Sequence, residues 1–441
     1  MPVTLEDASG FQGQADRVFT PANVEELVEI LREASRDSIP VTTAGARTGL
    51  TGGSVPQGGW AISMEKFQRL SVSTGCAIVG AGVSLETLQT CASRANQFYA
   101  PDPTERTASV GGSIATNASG SRSFRHGSTR KHVLGLRVAL MNGRVLNVKR
   151  GEKVDFPVPQ IPLPNTTKNT AGYLLSPGMD WVDLFTGSEG TLGIVVEAEL
   201  RLLPTPAGVL AGVVFFPGDE DASDAVDAWL NVERLRMLEY FDRNSLEFLR
   251  QKYSEVPADA GAALLVEQEQ GDIDFWAEQA PEDSWFAETD QDRERFRRFR
   301  HALPELVNDT VRRRGFMKVN SDYAVPLERN REMLAHYHAR LREQSFDYVI
   351  FGHIGDAHVH VNILPKSQAD VETGQRLMLE FARKAVELGG TVSAEHGLGK
   401  RKAHLLELQY TPAQIEAMKD VKRRLDPQWL LNRGNLFSVP V

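Results

Sequence analysis

Apolar positions along this chain follow two rhythms, one helical and one with a period of two. Val24, Leu27, Val28 and Leu31 recur at helical spacing behind Thr20-Pro21, so the pattern predicts a helix opening at Thr20. Short β-branched runs predict strands at 39–43, 77–80, 133–140 and 145–148, the last two joined across Asn142-Gly143, with a helix over 84–95. Beyond Pro204-Thr-Pro206, strands at 209–216, 262–269 and 316–319 interleave with helices at 222–230, 245–252 and 327–344. The clearest alternation comes later. An apolar run at 348–351 meets the turn residues Gly355-Asp356, after which Val359, Val361 and Ile363 alternate with His358, His360 and Asn362. A hairpin there puts His358, His360 and Asn362 on one face, with His353 opposite His358 and diagonal to His360.

Length and composition narrow the class. A chain of 441 residues can bury a sizeable core and suggests two or three domains. A net charge of −9 argues against a general nucleic-acid binder. The basic run 293–300 follows an acidic stretch and reads as a solvated helix face. Cys76 and Cys91 have no ligand spacing and make no disulfide framework, and no apolar run reaches membrane-spanning length. The expectation is a reducing compartment, the cytoplasm, with peripheral membrane association as a variant.

The hairpin carries the first chemical signal. Imidazoles diagonal across two strands can share one ion, and a catalytic zinc site commonly has three protein ligands. Glu395, next to His396 in a polar, glycine-rich turn, is the best candidate for the remaining carboxylate ligand. The competing reading is a solvated hairpin with surface histidines; three at this spacing, followed by Glu395-His396, favour the metal. Two other stretches are built for close backbone approach. Residues 44–53 (AGARTGLTGG) hold four glycines and match neither common nucleotide fingerprint. Residues 101–120 combine two prolines, Gly111-Gly112 and small hydroxyl or amide side chains, a composition suited to a flat polar heteroaromatic ligand. Each segment alone is also compatible with an ordinary surface loop.

Taken in order, the glycine loop, PDPT…GGSIATNASG, GSEGTLGI, GHIGDAHVHVNI, SAEHGLGK and LDPQWLLNRGNLF resemble the FAD-linked oxidases of the vanillyl-alcohol-oxidase fold. Within them the chain looks like the branch of D-lactate and D-2-hydroxyglutarate dehydrogenases and the glycolate oxidase flavoprotein subunit. The resemblance covers essentially the whole chain. It implies an α+β protein: an FAD-binding domain in two parts (1–205), a substrate cap with a helix-covered antiparallel sheet and the metal site (206–405), and a segment (406–441) returning to the flavin.

The resemblance further implies that the flavin is held by Ala44, Gly45, Ala46, Arg47, Thr48, Gly49, Gly52 and Gly53. It adds Pro101, Asp102, Pro103 and Thr104, then Gly111, Gly112, Ser113, Ala115, Thr116, Asn117, Ser119 and Gly120. Glu189, Gly193, Ile194 and Asn432 complete the set. Thr48 stands where some relatives tether FAD through a histidine, so the flavin is expected to be non-covalent. The metal ligands carry over as His353, His360 and Glu395, for zinc or, alternatively, manganese or iron, and His396 as the base. Arg300, Asn362 and Lys318 are the expected substrate contacts, Arg300 because its fork matches a carboxylate.

Departures from the pattern bear on the substrate. Ala357 and His358 replace a glycine and an asparagine, so His358 is an extra ligand, a group behind the ligands, or neither. Pro304 and Asn320 stand where dicarboxylate-using relatives have a hydroxyl residue and a lysine, although Lys318 is close by. Arg433 and Asn435 replace the usual PGK ending. The expected reaction is oxidation of a D-2-hydroxy acid, D-lactate-like before D-2-hydroxyglutarate, with electrons leaving to a quinone, flavoprotein or cytochrome. The alternatives are a partner-dependent subunit of a glycolate or lactate oxidase and a non-redox flavoenzyme of the same fold. A homodimer is compatible with the sequence.

Overall fold

A computed structural model describes residues 2–287 and 289–438. Its N-terminal part begins with a three-stranded parallel sheet ordered Arg17–Phe19, Trp60–Ser63, Val41–Ala44. The helix Val24–Arg36 buries Val24, Leu27, Leu31 and Ala34. It starts after Asn23 rather than at Thr20. The Asn23 side chain accepts the Glu26 N–H, and the Glu26 carboxylate in turn accepts the Ala22 N–H, a reciprocal pairing that fixes the start of the helix. A five-stranded antiparallel sheet follows, ordered Val145–Lys149, Val133–Ala139, Ile194–Arg201, Cys76–Gly80, Leu70–Ser73.

The stretch read as a continuous loop at 101–120 contains a short helix, Val110–Ala115. Ser109 caps it by accepting the Gly112 N–H. Two glycines weaken helix propensity, but a side chain at Gly111 would stand 2.7 Å from Ala81 Cβ, so close packing overrides it.

The second half is a seven-stranded, wholly antiparallel sheet. Its order is Trp285–Ala287, Val209–Phe216, Ala262–Glu269, Leu235–Asp242, Asp347–His353, His358–Leu364, Val319–Asn320. The central strand Leu235–Asp242 escapes sequence reading because every residue is buried, including Arg236, Glu239 and Asp242, leaving no alternation to detect. The helix Asp290–Arg313 crosses this sheet and tolerates Pro304. It is not simply a solvated basic face: Phe296, Phe299, Leu303, Val307 and Val311 are buried along it, and Arg300 points inward. Helices Gln368–Glu387 and Pro412–Leu425 complete this half. After Asp426 the chain returns to the first sheet, where the Val41 N–H donates to Leu430 O and the Asn432 N–H to Val41 O. Among the described residues no helix is long and apolar enough to cross a membrane.

Candidate active site

The hairpin has the register its alternation predicts, with His353 paired to His358 and Phe351 to His360. Its turn is a single helical turn, Ile354–Asp356, closed by Ala357 in the left-handed region at φ 49°. A residue with a Cβ is strained there by about 1–2 kcal/mol, which explains why glycine is the easier choice. The turn survives because Ala357 donates to Ile354 O and accepts from Val325 N–H.

Glu395 lies against the two histidines. Its Oε1 stands 3.2 Å from His353 Nε2, 3.3 Å from His360 Nε2 and 3.9 Å from His396 Nε2. Its Oε2 accepts from Ser119 Oγ at 2.9 Å and from Lys168 Nζ at 3.3 Å. Burial works against the Glu395 charge, but Lys168 and His353 outweigh it and hold the carboxyl well below its usual range. Lys168 is itself fully buried and also pairs with Asp356 at 3.2 Å.

Two more buried carboxylates orient the imidazoles from behind. Glu239 Oε1 sits 2.5 Å from His353 Nδ1 and Oε2 accepts from Arg300 Nε at 2.8 Å. Burial raises this carboxyl, and Arg300 and His353 more than reverse it. Asp322 accepts the His396 N–H at 2.9 Å and Ser393 Oγ at 2.8 Å, and it lies 3.2 Å from His358 Nε2 and 3.5 Å from His396 Nδ1. The His396 ring stacks on His360 with 5.3 Å between centroids and 13° between planes. Burial lowers His396 to about 4 despite Asp322, so the ring is neutral with a free lone pair near pH 7.

One ligand atom from each of His353, His358, His360 and Glu395 falls within 4.8 Å of the others, and Asp322, His360 and His396 form an overlapping group. Nitrogen and oxygen ligands sit about 2.0–2.2 Å from a zinc-like ion. The set therefore needs only a small contraction, and its carboxylates behind the imidazoles are those a metal site uses to fix tautomers. The donors fit a divalent ion.

His353, His360, Glu395 and His396 open into one cavity of about 900 Å³, which also reaches the glycine loop. Of the expected flavin contacts, Ala44 to Gly49, Gly53, Pro103, Thr104, Gly111 to Ser113, Ala115, Thr116, Ser119, Glu189, Gly193, Ile194 and Asn432 line it. A side chain at Gly49 would meet nothing within 4 Å, and one at Gly45 would strike Ser109 Oγ, so the two glycine segments touch while the loop faces open space. The cavity fits a dinucleotide flavin in size and in its small, backbone-rich wall.

Five expected contacts lie outside that lining. Gly52 packs on Phe11 with its N–H held by Asp7. Asn117 turns away to accept the Arg130 N–H. Gly120 is pressed against the Asp102 backbone, Asp102 pairs with Arg122, and Pro101 is buried. Arg300, Asn362, Lys318, Asn320 and His396 all line the cavity. Arg300 Nη1 also donates to Thr104 Oγ1 at 3.1 Å, joining the helix Asp290–Arg313 to the 101–120 stretch. Sequence reading missed Lys168, Glu239 and Asp322.

Comparison with known proteins agrees with this architecture. Residues 15–149 match the FAD binding domain and residues 205–436 the C-terminal domain of FAD linked oxidases. A D-lactate dehydrogenase of Archaeoglobus fulgidus is 33% identical over 95% of this chain and 90% of its own length. A D-2-hydroxyglutarate dehydrogenase of Xanthomonas citri pv. viticola is 30% identical over 96% and 89%, and glycolate oxidase subunit GlcD of Bacillus subtilis 29% over 97% and 90%. A solved alkyldihydroxyacetonephosphate synthase shares the fold at a TM-score of 0.68 and 15% identity, covering 96% of this chain and 76% of that one. The chain belongs to the FAD-linked oxidases, and is a flavin-dependent oxidoreductase.

Proposed function

We propose that this protein oxidises a D-2-hydroxy acid to the 2-oxo acid, with His396 as the base. The observation that carries the reading is a half-buried His396 stacked on His360 beside Glu395, in the same cavity as the glycine loop. FAD, when bound, supplies the acceptor for the Cα hydride; a divalent ion, when bound by His353, His360 and Glu395, supplies a Lewis acid for the hydroxyl. His396 takes the hydroxyl proton on Nε2, while Asp322, which accepts the His396 backbone N–H and lies 3.5 Å from Nδ1, stabilises the imidazolium by its charge. Arg300 receives the substrate carboxylate on the guanidinium edge that Glu239 and Thr104 leave free. Asn362 offers a further polar contact at the same wall. With no histidine in the glycine loop, FAD is held non-covalently and leaves on denaturation.

Pro304 and Asn320 offer no hydroxyl and no cation to a distal carboxylate, which favours a D-lactate-like substrate. A second reading rests on Lys318. It lines the cavity with no ion pair among the described residues, and burial beside Lys402 lowers it to about 8. An anion there would suit a dicarboxylic hydroxy acid. Electrons then pass to a quinone, flavoprotein or cytochrome.

The test is anaerobic bleaching of the flavin near 450 nm by D- and L-2-hydroxy acids, before and after chelation. Rapid bleaching by one D-acid, lost on chelation and restored by a divalent ion, is the expected result. Bound flavin that no hydroxy acid bleaches would sink the reading.

A further inference from the structure

The hairpin holds one imidazole that the reading above leaves without work. His358 is fully buried on the strand face it shares with His360 and Asn362, and among the described residues its Nδ1 has no hydrogen-bond partner. Its Nε2 stands 3.2 Å from Asp322 Oδ1, out of line for a full hydrogen bond. A buried ring nitrogen left unpaired is costly and calls for a partner. Asp322, fixed by the His396 backbone N–H and Ser393 Oγ, presents an acceptor oxygen to Nε2, and an acceptor there places the ring proton on Nε2. Nδ1 then keeps its lone pair. The rings of His353 and His360 lie 5.4 and 4.5 Å away, centroid to centroid, and one ligand atom of His358 belongs to the same close group as theirs.

We propose that His358 is a fourth protein ligand to the metal ion, binding through Nδ1, with Asp322 fixing its tautomer. The inference rests on the metal reading above. His353 has its Nδ1 taken by Glu239, and His360 and His396 present Nε2 to Glu395, so those three rings coordinate, if at all, through Nε2. His358 is set apart by the nitrogen it uses. Four protein ligands leave a six-coordinate ion two further places, the number needed by the carboxylate and hydroxyl oxygens of one hydroxy acid.

The experiment loads the full FAD-containing chain, labelled with ¹⁵N-histidine, with zinc and reads long-range ¹H–¹⁵N spectra of the rings. One ring coordinated through Nδ1 is expected, and that signal is lost in His358→Asn and His358→Gln. Competition against a fluorescent zinc chelator should show weakening by at least about tenfold in both variants, with flavin retained. If every zinc-bound ring coordinates through Nε2, or if both folded variants keep the parent affinity and spectrum, His358 is only a packed residue and the proposal falls. The parent spectrum decides the matter even if both variants misfold. If the parent protein binds no zinc, manganese or iron at all, the metal reading itself fails and this inference with it.

Discussion

Lys168 Nζ stands 3.3 Å from Glu395 Oε2, and both side chains are buried where the flavin-binding part meets the hairpin. The lysine occupies one carboxylate oxygen and leaves the other facing His353 and His360. Lys168→Met strands the negative charges of Glu395 and Asp356 in the interior. Loss of about 3–5 kcal/mol of stability is expected for breaking such a pair, together with weaker metal retention. Thermal melting and metal analysis of the purified variant check it; an unchanged melting temperature would contradict it.

Arg300 joins Glu239 to Thr104, and only a guanidinium can span both while offering an edge to substrate. Arg300→Lys should lower kcat/KM for the hydroxy acid by roughly ten- to a hundredfold, the worth of a charge-assisted bond of about 1.5–3 kcal/mol. The bound flavin spectrum should stay as it is. Steady-state kinetics beside a flavin titration separates the two effects.

Lys318 discriminates between the substrate readings. Lys318→Met should reduce kcat/KM for D-2-hydroxyglutarate far more than for D-lactate if a distal carboxylate reaches it, and both equally little if none does. Because burial lowers this ammonium to about 8, any distal-carboxylate advantage should fade as pH rises through that value. The ratio of the two specificity constants between pH 7 and pH 9 is the measurement.

Asp242 gives a pH signature in stability. Burial raises its carboxyl to about 7, against a usual value near 3.8, although Ser245 N–H and Oγ both donate to it. A carboxyl raised by folding stabilises fully below the unfolded value, and that contribution is lost as pH climbs through the folded one. Asp242→Asn keeps a good helix cap without the titration. The variant should therefore gain on the parent in melting temperature between pH 4.5 and pH 8. A difference that does not change with pH refutes this.

Local chemistry was legible and remote chemistry was not. The hairpin declared itself because period-two alternation and turn residues lie within one short segment, and so did the glycine loop. The helix at Val24 was displaced only by its cap, Asn23 having outcompeted Thr20. Glu239 and Lys168 could not be read, since they meet His353 and Glu395 across 114 and 227 residues of chain. Neither sits in a pattern: Leu235–Asp242 is buried throughout, and Lys168 lies in a stretch with no periodicity. Asp322 follows the two-residue strand Val319–Asn320, too short to announce which way the next side chain points. The same limit bears on Gly52, Asn117 and Gly120, which the family resemblance places at the flavin and the fold sets outside the cavity lining. Glycine and asparagine mark a close turn, but not which side of it the ligand occupies.

The returning segment has a consequence for how the protein is made. Asn432 accepts the Thr43 N–H and donates to Glu189 O, and Asn435 donates to Gly53 O, so the flavin cavity is closed by residues about as far from the glycine loop in sequence as the chain permits. The Thr43 contact alone spans 389 positions. During synthesis, the first sheet and its glycine loop must wait, unsealed, until residues 389 positions later emerge to finish the wall they share. A nascent chain stalled after the first sheets therefore has the loop but not its closure. Closure of that wall is therefore a late, long-range event in folding, set by the topology.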